Sequence, residues 1–392
     1  MPHLRRRLLL GSVLVVTSGL LLSAGVVRMR ADAAWQSMRA SSDELRSQLA
    51  ARRWVRPVLW GEAIEGRAFD HYVAGGERAD ALKFLSTSEV VKLLRGSDGE
   101  LAVSPRRRDW QTPLVQLHAG AHAAGPAPRD DDDTIYNLLQ LRALAYAATL
   151  ETAALRADGD ALAAVRVTFD ALTMGADLVR EGLLIHQMMG CAILEIPMQR
   201  WDDQALRSLD AEARSELARG LEQLDALLPR TLDCDREGAY MAHLLLNIPA
   251  NAEADWAGSP GLSYGFSSRW MVADAFGMFV DMAAELRSLS DAPWADRERA
   301  WQRHVDRMIA SGNAAAGVMC PNFIAAEQGV RGTLTTLRLL RTALLMLADP
   351  DATPLDDPFG NGPLQLAHDD EGITIRSVGK RGDKALERRV GR

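Results

Sequence analysis

Residues 135–176 read IYNLLQLRALAYAATLETAALRADGDALAAVRVTFDALTMGA, and this stretch decides the fold. From Ile135 to Arg156 the apolar residues Ile135, Leu138, Leu139, Leu141, Leu144, Ala145, Ala148 and Leu155 recur at the helical period and share one broad face. Ala157-Asp158-Gly159-Asp160 breaks the pattern as a tight turn, with Asp160 placed to cap the next helix. A second helical period then carries Leu162, Val165, Phe169, Leu172 and Ala176. A turn this short makes the two helices antiparallel. The pair has the form of one tetratricopeptide-type unit. Only one such unit is readable and its full residue signature is missing, so the sequence predicts a bundle and no repeat array.

The same pattern extends outward in both directions. Gly182 to Gln199 is the most apolar stretch of the main body, interrupted by His186, Gln187 and Glu195 and ended by Pro197. It predicts a central helix with partners on all sides. Asp202 is expected to cap one long helix running to Leu228, and Arg230–Leu246, Arg269–Leu289 and Pro293–Ile309 are further helices. Ser311 to Pro321 reads as a Gly- and Ala-rich connection. In the last helix, Asn322–Leu347, the expectation is Leu334, Leu337, Leu340, Leu344 and Leu345 inward, with Arg331, Arg338 and Arg341 on the solvent or rim face. Upstream, Asp130 to Asp133 suit an acidic helix N-terminus, since EF-hand spacing is absent. Ser104-Pro105 starts a helix to about Ala123, and Glu77 to Leu94 reads as one helix. Leu139, Leu144, Phe169, Leu172, Met188 and Ile193 are expected to be buried together.

The start of the chain is of a different kind. Arg5, Arg6 and Arg7 precede an uncharged apolar run from Leu8 to Val27. About 20 residues at ~1.5 Å each span the roughly 30 Å hydrocarbon core of a bilayer. Arginines before the run hold the N-terminus inside the cytoplasm, which places the rest of the chain in the periplasm on a single-pass inner-membrane anchor. A cleaved signal peptide ending near Ala31-Asp32-Ala33 is the rival, and it exports the same residues. Residues 31–53 continue as a helical stalk, followed by an extended loop from Arg56 to Gly66. The expected organisation is a stub and anchor over 1–30, a stalk and N-terminal helical region over 31–124, a bundle over 125–350 and a tail over 351–392. The fold class is therefore all-α, with a transmembrane helix at one end and a small β-hairpin at the other.

Composition excludes some functions. The chain has 392 residues, 47% of them hydrophobic, and a net charge of -7. That suffices for a large core and argues against a nucleic-acid partner, which needs a basic stripe. Cys191, Cys234 and Cys320 are too few and too scattered for a disulfide framework or a zinc site and fit buried apolar positions.

After Asp349-Pro350 the helical period ends. Leu364–Ala367 and Ile373–Ser377 alternate as strands, His368 to Gly372 joins them as a hairpin turn, and Gly379–Arg392 reads as a fraying basic end. Asp357-Pro358-Phe359-Gly360-Asn361-Gly362-Pro363-Leu364, the hairpin and Ser377-Val378-Gly379 together resemble the C-terminal segment of type II secretion major pseudopilins. They are more similar still to a group of membrane-anchored helical proteins of bacteria with large genomes. Those end in a helix, a D-P-F-x-G-x-P-L stretch and a Y-S-V-G-like strand, and Arg56 to Tyr72 is similar to their sequence after the anchor. The departures are plain. A pseudopilin has a glycine cleavage site and a glutamate within its membrane helix; this chain has neither and is not expected to assemble as a pilin. Lys380-Arg381-Gly382-Asp383-Lys384 stands where pseudopilins have an acidic stretch that helps bind calcium, so the resemblance implies none here. The group supplies no activity.

No Walker loop, nucleophile elbow or dinucleotide fingerprint occurs. His118 and His122 lie four apart on a predicted helix and could face one metal, with any third ligand coming from far along the chain. Glu151, Glu195 and His186 lie on apolar helices, where satisfied core polar groups are expected. Trp256, Tyr264, Phe266 and Trp270 make the Asn247–Ser268 loop aromatic, which suits either packing onto the body or a binding lip. No cofactor is expected. The sequence points to binding or scaffolding of a protein partner at the cell envelope, with a possible link to secretion. The alternative is an envelope hydrolase or metal-dependent enzyme.

Overall fold

The computed structural model describes residues 29–30, 32–51, 59–125, 138–247, 266–318, 323–381 and 384–391. The apolar run Leu8–Val27, the aspartates 130–133 and Cys320 lie outside these residues. Among the described residues no helix is long and apolar enough to cross a membrane. They are mostly helical with two small sheets, and the chain divides into two compact units.

The first unit takes its described residues from 29–51, 234–288 and 299–318. It contains α1 (residues 32–51), α11 (Asp235–Asn247), α12 (Phe266–Ser288), most of α13 (Trp294–Ala310) and α14 (Ala314–Val318). Phe276, Phe279, Met282, Trp301 and Met308 are buried in it. Polar contacts tie the helices: the Glu285 carboxylate meets Arg303 and, at 2.8 Å, His304. Both partners hold the Glu285 carboxyl below its ordinary value, His304 the more.

The second unit takes residues 59–233, 289–298 and 323–391. It opens with β1 (Ile64–Arg67), α2 (Ala68–Ala81), α3 (Ser88–Leu94), α4 (Asp98–Ala102), α5 (Arg107–His122) and β2 (Ala123–Gly125). Next come α6 (Leu138–Ala157), α7 (Ala161–Glu181), α8 (Leu184–Met198), α9 (Asp203–Arg207) and α10 (Ala211–Leu227). It closes with α15 (Phe323–Ala348), β3 (Gln365–Asp369), β4 (Gly372–Arg381) and β5 (Lys384–Gly391). The helical pair 135–176 forms as expected: Gly159 turns with φ +84 and the Asp160 carboxylate accepts from the Ala163 amide at 3.1 Å. α2 packs on α5 and α6, α6 on α7, α7 on α8, and α8 and α10 on α15. The α7–α8 crossing is closed by glycine: a Cβ on Gly190 would lie 2.7 Å from the Gly175 carbonyl oxygen. Any side chain there would force the helices apart.

Several expectations are corrected. Leu144, Phe169, Leu172 and Ile193 are fully buried, but Leu139 is 61% and Met188 46% exposed. Leu139 sits in the first described turn of α6. Met188, with Ile185, lies on a strip of α8 that α6, α7 and α15 do not cover, so that helix is not buried all round. Glu77–Leu94 is not one helix. A 3-10 turn at Phe84–Ser86 separates α2 from α3, with Lys83 at φ 44, the Ser86 hydroxyl donating to Asp80 and Thr87 capping the Glu89 amide. Asp202 caps only the short α9; Asp210 then accepts from the Ala213 amide at 2.8 Å and starts α10 separately. Local side-chain caps outcompete helix continuation at both breaks.

The tail is a three-stranded antiparallel sheet in the order β3-β4-β5, and Lys384–Gly391 is its third strand where a frayed end was expected. β4 and β5 pack on α15, with Ile375 and Val390 buried. Leu386, Arg388 and Val390 share the inner face of β5, so an arginine occupies the middle apolar slot and hides the period of two. Arg388 donates to the Trp201 and Met198 carbonyls at the end of α8, and burial pushes it down to about 10. Arginines assigned to a solvent face of α15 are instead largely buried. Arg338 and Arg341 pair with Asp225, and Arg331 pairs with Glu327. Leu345, expected inward, is 39% exposed.

Candidate functional site

The arrangement with the most chemistry lies in the second unit, where α5 faces α7. The four-residue spacing puts His118 and His122 on one side of α5, with ring centroids 4.2 Å apart. Asp170, projecting from α7, supplies the distant partner. Its Oδ2 lies 3.1 Å from His118 Nδ1 and its Oδ1 3.4 Å from His122 Nε2. One donor atom from each of the three residues falls within 4.8 Å of the others, so one ion could touch all three. Asp170 and His122 are buried, while the His118 side chain is 49% exposed.

Residues 59–62 close this site. The Trp60 indole N–H donates to Asp170 Oδ1 at 2.8 Å, and the ring packs edge-on to His122 with centroids 4.6 Å apart. The Arg166 guanidinium lies 5.3 Å from the centroid of the same indole, a cation–π contact. The Glu62 backbone oxygen is 3.0 Å from His122 Nδ1. A carbonyl can only accept, so Nδ1 carries the proton and Nε2 faces the carboxylate. Gly61 has φ +68, and a Cβ there would be 2.8 Å from His122 Cε1, so only glycine lets the backbone pass. Two turns along α7, Asp177 accepts from the Tyr72 hydroxyl at 2.8 Å. The hydrogen bond to Asp170 raises the His118 pKa, against a smaller opposing effect of burial.

Other expected site residues do not join it. Trp256 and Tyr264 lie outside the described residues. Phe266 opens α12, and Trp270 is 42% exposed on the same helix. Glu151, Glu195 and His186 do not converge. Glu151 accepts from Arg107, Trp110 and Gln111, Glu195 from the Thr333 hydroxyl, and His186 Nδ1 from the Leu183 amide. Glu151 and Glu195 are satisfied core groups, and His186 caps the start of α8 through Nδ1.

The two halves of the tail pattern meet. Asp357 Oδ1 accepts from the Ser377 hydroxyl at 2.8 Å and the Phe359 amide at 3.0 Å, and Oδ2 from the Val378 amide at 2.7 Å. Beside them a polar cavity of about 340 Å³ is lined by Arg230, Asp291, Arg331, Arg338, Asp356 and Asn361 among others. Most of its charge is already paired. Arg331 donates to the Pro358 carbonyl and to Glu327, and Arg338 to Asp225 and the Asp356 carbonyl. Sequence reasoning missed this network because its acids and bases come from separate segments.

A second, open groove of about 530 Å³ runs between α10 and α15. Ala218, Leu344, Leu345 and Ala348 give it an apolar lining, and Arg214, Arg219 and Arg341 outnumber Glu222 on it. Compared with known protein families, with curated proteins and with solved structures, the chain matches none.

Proposed function

We propose that the chain is a membrane-anchored protein of the bacterial envelope that binds a protein partner through the groove between α10 and α15. The groove carries the proposal. Small side chains at Ala211, Ser215, Ala218 and Ala348 let another helix approach closely, and exposed Leu345 supplies an apolar anchor. The groove's charge sets no such preference, because Arg219 pairs with Glu216 and Arg341 with Asp225 and Glu222. The fitting partner is therefore an amphipathic helix of an envelope protein that lays its apolar stripe in the groove. The anchor run Leu8–Val27 supports a place at the membrane, and a net charge of -7 argues against nucleic acid. The alternative, a metal-dependent enzyme, draws on the His118, His122 and Asp170 cluster.

A photo-crosslinking residue at Leu345 in the full chain, expressed in bacteria, tests the groove. One discrete adduct with an envelope protein is expected, and it should disappear when Ala218→Asp, at an exposed position of the groove, is added. The partner's crosslinked peptide should be helical in pattern. Adducts that persist with Ala218→Asp, or that form only between two copies of this chain, would overturn the proposal.

A further inference from the structure

We propose that His118, His122 and Asp170 form a binding site for a divalent transition metal of the zinc class. This goes beyond the partner groove and does not depend on it.

The donor set comes first. Two imidazoles and one carboxylate suit zinc and its neighbours, whereas calcium and magnesium take oxygen ligands. The spacing is that of a site an ion would draw together. Two ligand atoms held about 2.0–2.1 Å from a tetrahedral zinc lie roughly 3.3 Å apart. His122 Nε2 is 3.4 Å from Asp170 Oδ1 and His118 Nδ1 3.1 Å from the other oxygen, Oδ2, and one donor atom from each of the three residues lies within 4.8 Å of the others.

The surrounding groups are those a metal-bound histidine and carboxylate need. His122 donates from Nδ1 to the Glu62 carbonyl, which leaves the Nε2 lone pair as the ligand. Asp170 is held in orientation by the Trp60 N–H. His118 is half exposed, so an ion has a path in. Bound there, the ion would join α5 to α7 and, through Trp60 and Glu62, fix residues 59–62.

The test uses the untagged full chain in detergent, stripped with a chelator and then titrated with Zn(II) alone or Co(II) alone. One zinc per chain is expected, with a rise in Tm. Cobalt should give the visible absorption bands of a four-coordinate nitrogen–oxygen site. His118→Ala and Asp170→Asn should each weaken binding by about 100-fold or more and remove those bands. Trp60→Phe should weaken it about 10- to 100-fold. His118 is exposed enough for its replacement to fold, and unchanged far-UV circular dichroism checks this. Zinc bound no more tightly by the wild-type chain than by His118→Ala would overturn the proposal. So would cobalt bands that survive in that variant, since they would come from other histidines.

Discussion

Glu327 shows what a single position can hide. Its carboxylate is fully buried between two guanidiniums: Arg297 donates from Nε and a terminal nitrogen, the latter at 2.7 Å, and Arg331 donates at 3.2 Å. Arg331 also lies 5.4 Å over the Trp294 ring, and burial pushes its pKa down despite the Glu327 charge. In sequence, Glu327 and Arg331 are an ordinary pair four apart on a helix and suggest a wet surface. Arg297 is 30 residues away, and nothing in its local pattern points to Glu327. His118 and His122 were legible as a pair for the same reason that Asp170 was not: helical spacing reveals only partners on one helix. Glu327→Gln keeps the shape and removes the negative charge that both guanidiniums contact. Breaking this buried ion pair is expected to cost about 3–5 kcal/mol. Denaturant unfolding of the full chain in detergent measures it. A loss below about 1 kcal/mol would mean that water reaches the pair and that the site is not dry.

Helices were legible where apolar residues kept a 3.6 period over many turns, as in α6, α7, α8 and α15. Their ends were legible where one Asp stood at a turn, as at Asp160. Breaks inside apparent helices were missed at Lys83 and Asp210, because a single residue in an unusual backbone state or a single extra cap leaves the period almost intact. The third tail strand was missed because Arg388 fills an inward slot. That strand explains how so small a sheet stays folded: β5 covers β4 on one edge and reaches the end of α8 through Arg388. Deleting residues 384–392 should therefore do more than trim an end. It removes Val390 from the core, leaves the Met198 and Trp201 carbonyls without their guanidinium, and reduces the sheet to a hairpin of marginal stability. A drop of several degrees in Tm is expected, with new binding of a hydrophobic dye such as ANS. An unchanged Tm would show that β5 contributes nothing to docking on α15.

At the scale of the whole molecule, the helical class was legible from the start, while the two units were not. Their segments alternate along the chain, with the described residues of 234–288 and 299–318 grouped with those of 29–51. Local composition carries no mark of such grouping, because it arises from contacts between distant segments. The orientation of the proposed anchor is different, since that proposal rests on a few charges. Arg5, Arg6 and Arg7 stand before an uncharged run, and Arg28 and Arg30 after it are partly offset by Asp32. The excess favours an N-terminus held in the cytoplasm. Alkaline phosphatase, which folds only after export, is expected to be active when fused after Arg53. A fluorescent protein that needs the cytoplasm should stay dark at the same junction. Replacing Arg5, Arg6 and Arg7 with glutamate removes the bias, while Arg28 and Arg30 remain. Phosphatase activity should then fall and fluorescence rise as part of the population inverts. Both units would in that case lie on the wrong side of the membrane for an envelope partner, and the adduct expected at Leu345 should fall in proportion. Bright fluorescence from the unmodified junction would place both units in the cytoplasm and remove the envelope from the proposed function.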